Sequence, residues 1–183
     1  DICCTSANVV RVVDSVANGK GVFMVPDMNL ALFTQTQTDI KIDYWKGFCP
    51  THQLLQAEDV QAMKKTHTEA LFMAHPECRP EVLELADHIC STSGMYTYAR
   101  GSDCNEFIVA TEMGILYRLR KENPGKQFHL ASHDLICPNM KVNTLDDVIE
   151  VLTEKDKNMI TVPEDIRIKA KRTLDRMLAI PRD

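Results

Sequence analysis

Gly21-Val22-Phe23-Met24-Val25-Pro26-Asp27-Met28-Asn29-Leu30 and Glu106-Phe107-Ile108-Val109-Ala110-Thr111-Glu112-Met113-Gly114-Ile115 follow one plan. Each is a short run of β-branched and aromatic residues, then a turn with one acidic residue, then a helix start. A hydroxyl turn precedes each, Cys4-Thr5-Ser6 and Ser91-Thr92-Ser93, and a cysteine before proline follows each, Cys49-Pro50 and Cys137-Pro138. Thr92 lies 87 residues after Thr5, Glu112 85 after Asp27, and Cys137 88 after Cys49, a drift that small loop changes give. Self-similarity at this period marks one supersecondary unit used twice.

Between the repeats, Ala70 to Ala74 reads as a buried strand, His75-Pro76-Glu77-Cys78 as its exit turn, and Pro80 to His88 as a helix with proline in its first turn. Each unit therefore reads strand, turn, helix, strand, helix, cysteine loop, with a strand expected before Thr5 as before Thr92. Alternating strands and helices predict an α/β fold with short parallel sheets covered on both faces. Ligands of such sheets sit at the carboxyl ends of the strands, where the turns after Met73 and before Thr5 and Thr92 are expected. After Cys137 the pattern changes. Asn143 or Thr144 caps one helix, and Val162-Pro163-Glu164-Asp165 opens another that runs to about Ile180. Ile166, Ala170, Leu174, Met177 and Leu178 share a face of it, while Lys169, Lys171, Arg172, Asp175 and Arg176 form a solvated side.

The chain has 183 residues, 44% hydrophobic and 26% charged, with 21 Lys+Arg against 26 Asp+Glu and a net charge of -5. That composition buries a core and lacks a broad basic face for nucleic acid. No apolar run approaches the roughly 20 residues of a membrane helix, and nothing near Asp1 resembles a signal peptide, so a cytoplasmic protein is expected. Seven cysteines, an odd number, argue against a disulfide scaffold. The opening on Asp1, at a strand end running into a helix start without the strand and helix that normally lead in, suggests a fragment whose N-terminal part is missing.

Each candidate site residue has a plainer reading beside the functional one. Cys49 and Cys137 are either buried thiols or, because equivalent loops present both, ligands of a soft metal or iron-sulfur cluster. Thr5-Ser6 and Ser91-Thr92 either cap helices or bind an anion with the free N–H groups there. His75 and Glu77 either form a helix-entry turn or share a cleft as proton donor and acceptor. Cys3, Cys78, Cys90 and Cys104 read as core or incidental thiols. His67, His88, His129 and His133 show no ligand pattern, whereas His52, three residues after Cys49, stands near any metal held there. No Walker loop is present, and Arg11 is one residue too far from Cys4 for a cysteine-phosphatase loop.

Taken together, Cys4-Thr5-Ser6-Ala7-Asn8, Pro26-Asp27-Met28-Asn29-Leu30, Trp45-Lys46-Gly47-Phe48-Cys49, His75-Pro76-Glu77-Cys78, Ser91-Thr92-Ser93, Phe107 through Tyr117, Pro124-Gly125-Lys126 and Cys137-Pro138-Asn139-Met140-Lys141 with Asn143-Thr144-Leu145 resemble the quinolinate synthases of NAD biosynthesis. The resemblance implies three similar three-layer α/β/α domains around a pseudo-threefold axis. Residues 1–49 would be the remainder of the second, 50–137 the third, and 138–183 a helical tail completing the first. It implies an enzyme that condenses iminoaspartate with dihydroxyacetone phosphate at a 4Fe-4S cluster held by three cysteines, with one iron open to substrate. Cys49 and Cys137 match two of these ligands, and the third would lie upstream of Asp1, leaving the fragment alone inactive. Ser6, Ser91 and Thr92 would bind substrate oxygens, and His75 and Glu77 would position substrate and move protons. Cys90 and Ala31 stand where such proteins usually have glycine, which puts the backbone of the anion loop in question. The alternative is a non-catalytic repeat module that binds a metal or an anion.

Overall fold

The computed structural model describes residues 1–17, 19–154 and 156–182. Two compact units are present, one of Cys4–Ile136 with the chain end from Ile180, the other of Asp1–Cys3 with Cys137–Ala179. The larger unit runs α1 (Val9–Val16), β1 (Val22–Met24), α2 (Met28–Gln35), β2 (Ile42–Tyr44), α3 (Pro50–Leu54), α4 (Ala57–Thr66), β3 (Leu71–Ala74), α5 (Pro80–Leu83), β4 (His88–Ile89), α6 (Thr92–Gly101), β5 (Glu106–Ala110), α7 (Ile115–Glu122) and β6 (Gln127–Leu130). The order α1-β1-α2-β2 before Cys49 recurs as α6-β5-α7-β6 before Cys137, which is the repeat read in the sequence.

All strand pairs are parallel: β1 beside β2, and a four-stranded sheet in the order β4-β3-β5-β6. Strands this short hold together because both faces are covered. Alternation sends Phe72, Ala74, Ile108 and Ala110 to one side, where Leu55, Val60, Val82 and Leu135 pack. Met73, Phe107 and Val109 go to the other side, against Met95, Ala99, Leu116 and Leu119 of α6 and α7. Helices on both faces of a parallel sheet make three layers. The two-stranded sheet has its own core of Val9, Val13, Met24, Leu30, Ala31 and Ile42.

The helix expected over Pro80 to His88 ends at Leu83, and His88–Ile89 pairs instead with Met73–Ala74. Asp87 causes the difference: its N–H donates to the Phe72 carbonyl at 2.9 Å, and its carboxylate accepts the Phe72 N–H at 2.7 Å. That clamp draws the chain onto the edge of β3, overriding local helix preference. Among the described residues no strand precedes Thr5, and β2 and β6 are strands that the apolar runs did not announce. Ala31 is wholly buried, and Asn158 is the one described non-glycine residue with positive φ, so neither Cys90 nor Ala31 strains a backbone that needs glycine.

The smaller unit holds a 3-10 turn (Pro138–Lys141), α8 (Leu145–Thr153) and α9 (Glu164–Leu178). Thr144 rather than Asn143 caps α8, in a reciprocal box with Asp147. Of the expected apolar face of α9 only Met177 is buried, while Ile166, Leu174 and Leu178 stay exposed. The charged side is solvated as expected, with Lys171 paired to Asp175 at 2.7 Å. Phe72 lies at the centre of the larger unit and is wholly buried. Phe72→Ala should cost about 3–5 kcal/mol in urea unfolding, with the denaturant slope unchanged.

Candidate functional site

The site begins at Asp27. Its carboxylate caps α2 by accepting the Leu30 N–H at 2.8 Å, and its second oxygen accepts the Cys49 N–H at 2.7 Å. Burial pushes the Asp27 carboxyl up, and these backbone donors work against that shift. Pro50 then opens α3, whose first turn carries His52 inward. Asn29, also on α2 and buried, donates to the Glu77 carbonyl at 3.1 Å and to Gln53 at 2.8 Å. One short helix therefore fixes both the cysteine loop and the exit turn of β3.

β3 and β5 end side by side, Ala74 opposite Ala110, and release His75 and Thr111. The His75 N–H continues the ladder to the Ala110 carbonyl at 3.0 Å. His52 Nε2 meets Thr111 Oγ1 at 3.0 Å, and the His52 ring stacks on His75 with centroids 4.6 Å apart. His52 Nδ1 lies 3.1 Å from Glu77 Oε2, and among the described residues this buried nitrogen makes no well-formed hydrogen bond. The contact is an electrostatic one. Cys49 Sγ, a His52 nitrogen and a Glu77 oxygen all lie within 4.8 Å of one another, a donor set able to hold a metal.

The two histidines titrate in opposite directions. Burial pulls His52 down, but the Cys49 thiolate and Glu77 carboxylate beside it prevail and raise it to about 9. Its cation lowers Cys49 and Glu77 from their ordinary values, in each case against burial. Burial and the neighbouring His52 charge push His75 down to about 4. His75 Nδ1 accepts the Glu77 N–H at 3.3 Å, which assigns the ring proton to Nε2, facing Ser6 Oγ at 3.2 Å.

Of the expected residues, His75, Glu77, Ser6 and Cys49 thus converge. Ser91 joins Ser6 in lining a cleft of about 500 Å³ with Pro76, Gly94 and Tyr98. Ser91 also caps α6, accepting the Gly94 N–H at 3.1 Å, whereas Thr5 is tied to Asn8 and caps nothing. The two hydroxyl turns are matched in sequence and not in capping. Thr92 is the exposed first residue of α6. A side chain at Gly94 would approach Cys90 Cβ to 2.8 Å, so the glycine four residues on makes room for that cysteine. Cys137 is half-buried at the start of the smaller unit. A depression of about 540 Å³ along α9 is bounded by that helix alone and carries none of these groups. His52, Asp27, Asn29 and Thr111 are the members that sequence reasoning gave no role; only the three-residue step from Cys49 pointed to His52.

Thiol chemistry reports this geometry. Burial pushes Cys78 and Cys90 up to about 12, while His52 lowers Cys49. In the metal-free chain at pH 7.5, Cys49 should alkylate with iodoacetamide at least about tenfold faster than Cys78 or Cys90, and His52→Leu should shrink that lead by slowing Cys49 alone. Because the Cys49 pKa is depressed, its lead should widen as pH falls below the ordinary thiol range.

The family model described as NadA: Quinolinate synthetase A protein matches residues 1–179. A quinolinate synthase of Geobacter metallireducens is 55% identical over 100% of this chain, covering 60% of that protein. One of Geotalea uraniireducens is 54% identical over 100% of the chain and 60% of its own length. One of Methanosarcina barkeri is 52% identical over 98% of the chain and 58% of its own length. The chain spans about 60% of the relatives it matches, and with nearly every residue inside the family model it belongs to the NadA, quinolinate synthetase A, family.

Proposed function

We propose that this chain is part of a quinolinate synthase that condenses iminoaspartate with dihydroxyacetone phosphate in NAD biosynthesis. One observation carries the reading: Ser6 and Ser91, from matched turns of the repeat, line one cleft, and Ser6 is bonded there to His75. Both substrates are anions, and hydroxyls beside the N-terminus of α6 suit carboxylate and phosphate oxygens. Residues 1–49 and 50–137 would then belong to the second and third of three similar domains around a pseudo-threefold axis, and 138–183 to the first. The repeated element order supports that arrangement, as do the exposed apolar side chains of α8 and α9.

The donor set suits a cluster. The His52 cation biases Cys49 toward thiolate, the charge state a soft-metal ligand needs. Cys49 and Cys137, with a third cysteine outside this chain, would hold the 4Fe-4S cluster; when bound, an iron with an open position supplies a Lewis acid for a hydroxyl or carbonyl oxygen.

The chain's own residues would bind substrate and handle its protons. With His75 Nε2–H donating to Ser6 Oγ, the serine hydroxyl can turn its own proton to a substrate oxygen. Glu77 Oε2, 3.1 Å from His52 Nδ1 and 3.8 Å from His75 Nδ1, is the atom that would take a proton from substrate carbon. The His52 cation keeps that carboxylate charged until it does. Thr92, exposed at the first turn of α6, would add a donor to the phosphate or carboxylate.

In the full-length protein reconstituted without oxygen, quinolinate should form from the two substrates. Glu77→Gln should lower kcat by at least about 100-fold with iron and sulfide content unchanged. Cys49→Ser and Cys137→Ser should each abolish the broad visible absorption, and Cys78→Ser should retain it. An intact cluster without turnover in the unaltered protein would leave only a binding module, and full cluster content in either of the first two cysteine variants would overturn the ligand assignment.

A further inference from the structure

His67, Glu106 and His129 sit at the end of the four-stranded sheet opposite the one that releases His75 and Thr111. Glu106 is the first residue of β5, His67 precedes β3, and His129 lies on β6. Register brings two of them together: Glu106 pairs with Gln127 and Ile108 with His129, so Glu106 and His129 are diagonal neighbours on one face. His67 follows the end of α4, and its ring stacks on His129 with centroids 3.8 Å apart. His67 Nδ1 lies 2.7 Å and His129 Nε2 3.0 Å from the same atom, Glu106 Oε1.

We propose that these three side chains bind a divalent transition-metal ion of the zinc class. Two imidazole nitrogens and a carboxylate oxygen are a borderline donor set, and their ligand atoms all lie within 4.8 Å of one another. Around a tetrahedral zinc with bonds of about 2.0–2.1 Å, donors stand roughly 3.3 Å apart, so the two nitrogen–oxygen separations of 2.7 and 3.0 Å would open by a few tenths of an ångström and the stacked rings would turn toward the shared ion. The side chains are 22%, 26% and 26% exposed, which leaves water access to a fourth position. Hydrogen bonding alone employs one oxygen of Glu106; the second has no partner among the described residues and can also turn to the ion. Cys104 is nearby, but its thiol faces the backbone carbonyls of Glu106 at 3.2 Å and Glu69 at 3.5 Å, so sulfur is outside the set. An ion here would tie the approach to β3, the start of β5, and β6 into one body, far from the substrate cleft in the sheet.

The probes are cobalt(II) and zinc(II), added to the metal-free full-length protein. Cobalt should give visible bands of a nitrogen- and oxygen-ligated ion, separable from the near-ultraviolet charge-transfer bands that any thiolate site contributes. His67→Gln or His129→Gln should weaken those visible bands' binding curve by at least about tenfold, the lower bound even for loss of a supporting contact, and leave the thiolate bands alone. Zinc should raise the melting temperature of the unaltered protein further than that of the variants, which keep only the response of the thiolate site. Glu106→Gln keeps an acceptor oxygen for both histidines but removes the charge, so it should keep the metal-free melting temperature and show only the smaller zinc response of the histidine variants. An unaltered protein without the nitrogen- and oxygen-type bands, or a Glu106→Gln protein that answers zinc like the parent, would overturn the proposal.

Discussion

The carboxylate of Asp27 spans two elements that the sequence separates by a strand and a loop. One oxygen closes the first turn of α2, and the other holds the N–H of Cys49. Neither bond has a ready substitute, because a neutral amide at this position would offer one acceptor and place a donor against an N–H group. The cost is a buried carboxylate, visible in its raised pKa, and two charge-assisted bonds offset it. Once Cys49 is fixed, Pro50 sets the start of α3 and the helix carries His52 into contact with Glu77. Asn29 fixes the other partner, holding the Glu77 backbone from the same helix α2.

Charge in the site follows from crowding. Cys49 and Glu77 stand on either side of one imidazole, and a cation there lowers the energy of both anions. A second cation on the stacked ring 4.6 Å away would be repelled and desolvated, so His75 stays neutral. Two adjacent histidines therefore present different chemistry: a fixed charge on His52 and a neutral donor on His75. The second is the one that touches Ser6, at the edge of the cleft it shares with Ser91.

The strands of the sheet's centre were legible because burial on both faces leaves a continuous apolar run in Leu71–Ala74 and Glu106–Ala110. The duplicated element order was legible from offsets alone. The end of α5 was not, because the Asp87 clamp on Phe72 is a tertiary contact across 15 positions. Edge strands β2 and β6 are short and partly polar, so they carry no such run. In the site, His75 and Glu77 were readable from a strand followed by a turn. His52 needed the stacking and pairing that only the fold supplies, and Asp27 showed itself only as the acidic residue of a repeated turn, not as the cap of α2 or the anchor of Cys49. His67 and His129 gave no pattern because the β5–β6 register and the turn after α4, not a spacing, bring them to Glu106.

The anchoring of Cys49 by Asp27 is open to one direct measurement, hydrogen exchange at the Cys49 amide in the metal-free protein and in Asp27→Asn. Loss of a bond to a charged acceptor costs about 1.5–3 kcal/mol, so the amide should exchange about tenfold to a hundredfold faster in the variant. Amides of β3 and β5, such as Met73 and Val109, should be unchanged. Equal protection of Cys49 in the two proteins would mean that Asp27 does not hold the loop, and the geometry of the thiolate, His52 and Glu77 would need another cause.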